Sequence, residues 1–242
     1  MILVHQHDDD VVEITLNRPE KHNAMLPGML QDLRTAVLEH TSAGALLING
    51  AGSSFCAGFD LKACAADPDG GTMRSLLNEL SSVVVALRSA PAPVVMAVHG
   101  VAVAGGCALL GGADIVVADQ NTRLGYPVVK IGVSPAVSSP FMLASLPHGA
   151  VRSRLLDPNL ISAGRALSLG IVHEVVDHGL TEIAMRHAAS LANKPGIGCK
   201  ATKEWLNQVC PVLDSDVQSG LQASLQLTGG DEERNRLAAI WS

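Results

Sequence analysis

Two short stretches combine glycine with small residues at the ends of apolar strands. They are "CAGFD" at Cys56–Asp60 and "AGGCA" at Ala104–Ala108, and each leads toward a helix. The first turn of a helix leaves its backbone N–H groups without partners. If the two stretches face one another, they form a pocket with two convergent N–H donors, which is the arrangement of an oxyanion hole. Two ordinary tight turns explain the glycines equally well.

A second group of side chains, of types that can bind a metal, lies near the start of the chain. His5 and His7 would share one face of a strand, and the carboxylates of Asp8–Asp10 follow. A tight metal site needs three or four converging ligands. An exposed hairpin with a solvated acidic turn explains this group better, so no metal is expected. The sequence also contains no GxSxG, HExxH or P-loop motif.

Composition restricts the class of protein further. The chain has 242 residues, 48% hydrophobic and 17% charged, which is typical of a globular protein. The net charge of −6 and the lack of a basic block argue against a nucleic-acid partner. Five scattered cysteines without a CxxC pair indicate free thiols in a reducing compartment. The first residues, "MILVHQHDDD", do not resemble a signal peptide, so we expect a cytoplasmic protein.

One segment resembles a membrane span. Val94–Ala113 has 20 residues, five glycines, one histidine and no charged residue. Its glycines, the prolines Pro91 and Pro93 before it and the lack of flanking cations argue against a span. We expect a buried strand, a glycine-rich turn and a buried helix instead, and no association with a membrane.

Apolar periodicity predicts strands alternating with helices, which is an α/β arrangement. "ILVHQH" and "VVEITLN" should pair as a hairpin. Asn23 is predicted to cap the first helix, and Thr72 to cap a helix that carries Leu76 to Leu87. From Thr181 onward the pattern is helical.

Five motifs occur in the order seen in the crotonase family, the enoyl-CoA hydratases and isomerases. They are "NRPEKHNAM", "FCAGFDL", "PVVMAVHGVAVAGGCALLGGADIVVAD", "YPVVKIGVSP" and "ISAGRALSLGIVHEVV". The resemblance implies a spiral of ββα units over residues 1–180 and a helical trimerisation region over residues 181–242. It also implies trimers, often paired into hexamers, that bind an acyl-CoA thioester and use no cofactor besides the coenzyme A of the ligand.

The resemblance also assigns site residues. The oxyanion donors fall on the backbone N–H groups of Phe59 and Gly105. The coenzyme A path falls on five further positions: Lys21, His22, Ala57, Asp60 and Leu61. Lys21 could face a phosphate, and a solvated loop lysine is an equally good interpretation.

The residues that would move protons are missing. Hydratases of this family use two glutamates, and the matching positions here are Ala108 and Val128. Some isomerases carry an acid eight residues further on, which is Ala136 here. Tyr126, the only tyrosine, lies two residues before Val128 and could act as an acid or orient the ligand. A packed tyrosine with a satisfied hydroxyl is the alternative.

Two hypotheses follow. The first is a divergent lyase or isomerase that uses the oxyanion hole and an unconventional group such as Tyr126. The second is a protein that binds acyl-CoA without transforming it. The C-terminal helices carry apolar side chains that are expected to pack against another subunit: Trp205, Leu206, Val209, Leu221 and Leu225. Packing against the core of the same chain is the alternative.

Overall fold

The computed structural model describes residues 1–240, and its largest element is a six-stranded sheet whose strands are given below in the order in which they neighbour one another. The first two strands form the expected antiparallel hairpin, and the others join in parallel register. The strands of this sheet are β1 (Ile2–Gln6), β2 (Val11–Leu16), β3 (Ala45–Gly50), β4 (Val94–Val98), β6 (Ile115–Asp119) and β9 (Glu174–Val176).

The sheet is covered on both faces, as the apolar strands require. Side chains alternate along β3: Leu46 and Ile48 face one hydrophobic core, while Ala45 and Leu47 face the other. The first core lies under the helices at 27–39 and 71–89, and the second under the helix at 180–192.

Eleven α-helices lie within residues 1–240: α1 (Pro27–Glu39), α2 (Leu61–Ala65), α3 (Gly71–Ser89), α4 (Gly105–Leu109), α5 (Ser139–Leu143), α6 (His148–Leu156), α7 (Ala163–Leu169), α8 (Leu180–Ala192), α9 (Gly196–Val209), α10 (Asp214–Leu225) and α11 (Asp231–Ala238).

A smaller sheet supports the glycine-rich segment. It contains β5 (Val101–Val103), β7 (Arg123–Gly125) and β8 (Ile161–Ser162) in that order. The segment that resembles a membrane span thus contains the expected strand (β4), turn and buried helix (α4). It also contains a second strand, β5, that was not expected, and a 3-10 turn at Leu110–Gly112. No helix within residues 1–240 is long and apolar enough to cross a membrane.

Both predicted helix caps are wrong. Helix α1 begins at Pro27 after Leu26, and α3 begins at Gly71 after Gly70. Asn23 is fully buried, and its amide donates to the carbonyl oxygens of Ala51 and Ser54 at 2.9 and 2.8 Å. Asn23 therefore ties two loops together and is not available to a helix end.

The second wrong cap, Thr72, lies inside the first turn of α3. Its N–H and hydroxyl both donate to Asp67 Oδ2, at 2.7 and 2.9 Å. The side-chain acceptor for this helix end is thus Asp67 in the preceding loop, and Thr72 is itself one of the first-turn residues whose N–H needs an acceptor.

The last helices pack over one loop of the core. Ser224 of α10 donates to the carbonyl oxygen of Ser134 at 2.9 Å and accepts from the N–H of Val137 at 3.0 Å. Helix α11 packs beside Gly132, where a Cβ would lie 3.1 Å from the Glu232 side chain. These contacts fix residues 127–138, which form one wall of the cavity described next.

Candidate functional site

Backbone hydrogen bonds hold the two glycine-containing stretches side by side. The N–H of Cys56 donates to Val101 O, and the N–H of Val103 donates to Cys56 O, both at 3.0 Å. This parallel bridge between Cys56 and β5 sends the two chains in the same direction. Phe59 and Gly105 therefore arrive at the same end of the small sheet.

Glycine is required for this close approach. A Cβ on Gly106 would lie 2.4 Å from the carbonyl oxygen of Cys56, which is a severe clash. Gly58 has φ of +95°, and a Cβ there would lie 2.9 Å from the carbonyl oxygen of Val103. Ala104 has φ of 53°, an unusual value for a residue with a Cβ. The backbone is therefore forced into an uncommon shape directly before Gly105.

The backbone N–H donors of the two stretches are free where the stretches meet. The N–H groups of Phe59 and Gly105 have no hydrogen-bond acceptor within the described part of the chain. Asp60 N–H, directly after Phe59, donates to Met25 O at 3.0 Å, and Ala104 N–H, directly before Gly105, donates to Gly125 O at 2.8 Å. The N–H groups of Gly58 and Gly106, on the other sides, also have no acceptor among the described residues. An unpaired buried N–H is costly, so a free pair beside one cavity is a marked feature.

A cavity of about 440 Å³ adjoins both donors, and its wall is mainly apolar. Helix α3 supplies Met73, Leu77 and Leu80, and the loop fixed by α10 and α11 supplies much of the opposite wall. Two exposed cations, Lys130 and Arg236, also line it. Among its described lining residues there is no carboxylate. The cavity can thus hold an apolar group, with N–H donors inside and positive charge at its exposed edge.

The missing acid positions do not all lie in this cavity. Ala108 and Val128 line it, as expected for the two glutamate positions. Ala136 does not, although its neighbours Pro135 and Val137 do. Its carbonyl oxygen faces α10, where a Cβ on Gly220 would lie 2.5 Å away. Ala136 thus belongs to the contact between this loop and α10.

Tyr126 lines the cavity but is almost fully buried. Its hydroxyl interacts with the Cys107 thiol and the Ser138 hydroxyl. Burial, with the neighbouring Cys107, raises the pKa of Tyr126 well above 10. The phenol is therefore neutral near pH 7 and cannot act as a base, which leaves only the roles of acid and orienting hydroxyl.

Of the five coenzyme A positions, Ala57 and Leu61 line the cavity. Lys21 and His22 are exposed on an adjoining loop, and His22 O accepts from Ala57 N–H at 2.9 Å. Asp60 does not line the cavity; its carboxylate is 2.8 Å from Arg18 and accepts from the first N–H groups of α2. Asp60 is therefore engaged within the protein.

The histidines near the start of the chain are not arranged as a metal site. His7 Nε2 is 2.8 Å from Glu13 of the partner strand, and the rings of His5 and His7 meet edge to face. Within residues 1–240, no three His, Cys, Asp or Glu side chains are grouped as metal ligands would be.

Sequence reasoning missed a second cavity of about 200 Å³ behind Tyr126. Most of its polar side chains come from distant parts of the chain: Arg88 from α3, Asp114 from the turn before β6, Ser145 from the turn after α5, His173 from the turn before β9, and Lys203 and Asn207 from α9. No local motif joins these residues, so the sequence carries no signal for this cavity.

The fold and site together define the class of protein. The enoyl-CoA hydratase/isomerase family matches residues 6–231. The 1,2-epoxyphenylacetyl-CoA isomerase of Escherichia coli K12 is 31% identical over 231 residues, which cover 91% of this chain and 87% of that enzyme. The 2,3-dehydroadipyl-CoA hydratase of the same organism is 30% identical, covering 93% and 88%.

A solved structure agrees with these matches. The enoyl-CoA hydratase/isomerase from Mycobacterium paratuberculosis superposes with a TM-score of 0.89 at 28% identity, covering 98% of this chain and 97% of that one. The chain belongs to the enoyl-CoA hydratase/isomerase family of the crotonase superfamily.

Proposed function

We propose that the protein binds an acyl-CoA thioester with the carbonyl oxygen between the N–H groups of Phe59 and Gly105. The observation that carries this proposal is the pair of free backbone donors beside one apolar cavity. The relatives named above are enzymes of acyl-CoA compounds, which supports the same ligand class. Lys130 and Arg236 are exposed beside this cavity and suit the phosphate groups of coenzyme A.

The two donors would stabilise negative charge on the thioester oxygen. When the α-carbon of a thioester gains carbanion character, charge passes to the carbonyl oxygen as an enolate. Loss of one oxyanion donor typically costs about 2.7–4 kcal/mol of transition-state stabilisation. The site therefore suits a lyase or isomerase reaction that passes through an enolate.

Ordinary hydration does not fit the site. Adding water needs one group to deprotonate it and another to protonate the α-carbon. Ala108 and Val128 can do neither, and Tyr126 is neutral and engaged with Cys107 and Ser138. A non-catalytic acyl-CoA binding protein is the second candidate, favoured by the lack of a carboxylate among the described lining residues.

A ligand-recovery experiment separates the two candidates. The protein is incubated with a panel of acyl-CoA thioesters in deuterated water, and the recovered ligands are analysed by mass spectrometry. Deuterium at the α-carbon or an isomerised or cleaved product supports the enzyme. Tight binding with unchanged ligand supports the binding protein, and no binding of any thioester would refute both.

A further inference from the structure

The second cavity has more hydrogen-bond donors than the protein satisfies. It is lined by Arg88, Asp114, Tyr126, His173, Lys203 and Asn207, together with Ser145 and mostly apolar neighbours. Its charged side chains are two cations and one carboxylate. Lys203 and Asp114 pair with each other, since Lys203 Nζ is 2.7 Å from Asp114 Oδ2. Lys203 also donates to Ala92 O at 3.1 Å. One positive charge, on Arg88, is left over.

Arg88 has no counterion. Its half-buried guanidinium makes no hydrogen bond or ion pair with any residue between 1 and 240, although its backbone oxygen accepts from Asn207 Nδ2 at 3.1 Å. Burial lowers the pKa of the Arg88 guanidinium, partly offset by the charge of Asp114. The charge has therefore lost part of its water without gaining a direct partner, and an anionic ligand would stabilise it.

His173 adds a second unused donor. Its Nδ1 accepts from the backbone N–H of Val116 at 2.9 Å, which places the proton of the neutral ring on Nε2. Burial lowers the pKa of His173, with a smaller opposing effect of Asp114, so the neutral ring is favoured. Nε2–H has no acceptor among the described residues. A carboxylate, with two acceptor oxygens, fits a guanidinium and an imidazole N–H.

Tyr126 separates this cavity from the first one, and among the described residues it alone lines both. Cys107 on the second cavity and Ala108 on the first are consecutive in α4, so the two spaces meet at this helix. An acyl chain whose carbonyl lies at Gly105 would run along Ala108 to the Tyr126 ring. Displacing that ring would open the way to Arg88.

On the basis of the proposed function, we propose that the second cavity binds the terminal carboxylate of a dicarboxylic acyl group carried on coenzyme A. Tyr126 then sets the acyl specificity: short apolar acyl groups end at its ring, and longer groups that end in a carboxylate pass it. Arg88 is the residue that recognises the carboxylate, and His173 Nε2–H is its second donor.

Paired ligands test this by isothermal titration calorimetry. Adipyl-CoA and shorter and longer dicarboxylyl-CoA thioesters are compared with monocarboxylic acyl-CoA thioesters of equal chain length. At the preferred length the wild-type protein should bind the dicarboxylic ligand at least about tenfold more tightly, the ratio expected for a charge-assisted hydrogen bond. Arg88→Met should remove this preference and leave the affinity for the monocarboxylic ligand unchanged.

Two further variants act as controls. Arg88→Lys keeps the charge and should keep part of the preference, and Arg152→Met removes an exposed cation of α6 and should keep all of it. No preference in the wild-type protein, or an equal loss of both ligands in Arg88→Met, would overturn the inference. So would binding of free adipate that depends on Arg88 without any preference among the thioesters. If no thioester of either series binds, the proposed function itself fails.

Discussion

Ala108 and Val128 decide what the site can do at the level of single residues. Both line the cavity beside the free N–H groups, so an acid at each position would face the ligand. We predict negligible hydration of crotonyl-CoA by the wild-type protein. The double variant Ala108→Glu with Val128→Glu should raise the rate, because each positioned acid or base typically contributes about 10²–10⁴-fold.

The single variants Ala108→Glu and Val128→Glu are the matched controls, and each should do much less than the pair. Burial can keep the new carboxyl groups protonated, so circular dichroism and a pH profile must accompany the assay. Ordinary hydratase turnover by the wild-type protein would show that other groups perform the proton transfers.

Tyr126 offers a direct optical test, because it is the only tyrosine in the chain. Its pKa is raised well above 10, chiefly by burial. Because the folded protein keeps this phenol neutral, the group contributes fully to the stability of the fold below its unfolded pKa of about 10. This contribution is lost as the pH rises above that value. Tyrosinate absorbance should therefore appear only together with unfolding, as followed by circular dichroism. A titration near pH 10 in the folded protein would contradict the buried placement.

At the level of elements, α2 depends on Asp60. Its side chain accepts from Lys62 N–H at 3.1 Å and Ala63 N–H at 3.2 Å, and it pairs with Arg18. Burial raises its pKa, but Arg18 and the α2 amides outweigh burial, so the net pKa lies below 3.8. This carboxylate stabilises the fold above its unfolded pKa, and the contribution is lost as the pH falls.

Asp60→Ala should lower the free energy of unfolding by about 1–2 kcal/mol for the cap alone. Asp60→Asn keeps a side-chain acceptor for α2 but loses the ion pair, so its stability should lie between that of Asp60→Ala and wild type. Urea unfolding at neutral pH gives the order. Acyl-CoA affinity should change little in Asp60→Asn, and a large loss of affinity with unchanged stability would place Asp60 in the ligand site.

The six strands of the large sheet, their order along the chain and the Phe59–Gly105 junction could be predicted from apolar runs, glycine positions and the resemblance to crotonases. The three short strands of the small sheet could not, because two or three residues are too few to show an apolar pattern. The caps could not, because the residue types at Asn23 and Thr72 suit a helix end and a loop contact equally well. The positive φ of Ala104 also carries no sequence signal. The second cavity depends on Arg88 and His173, which only the folded chain brings together.

For the whole molecule we propose a trimer or a pair of trimers. In the single chain, Ile197 is 89% exposed and Trp205 60%, which leaves an apolar face on α9 without cover. Leu221, in contrast, is buried in its own chain, and Leu225 packs partly against the same core. The α9 face is therefore the better candidate for contact with another subunit.

Light scattering should give the mass of a trimer or of a pair of trimers, which is about three or about six times the chain mass of 25.1 kDa. Ile197→Glu with Trp205→Glu should shift the protein toward the monomer, because charge on an apolar interface is costly. Leu156→Glu, at an exposed leucine of α6, is the control and should not change the mass. A stable wild-type monomer at micromolar concentration would refute the assembly.

A thioester oxygen should bind to the N–H groups of Phe59 and Gly105. Amide NMR of the ¹⁵N-labelled protein tests it with an acyl-CoA thioester and with the thioether analogue that lacks only the carbonyl oxygen. The thioester should move both amide proton signals downfield, and the thioether should bind in the same cavity without that shift. Equal effects of the two ligands on both amides, or an unchanged Gly105 signal in the thioester complex, would contradict the claim.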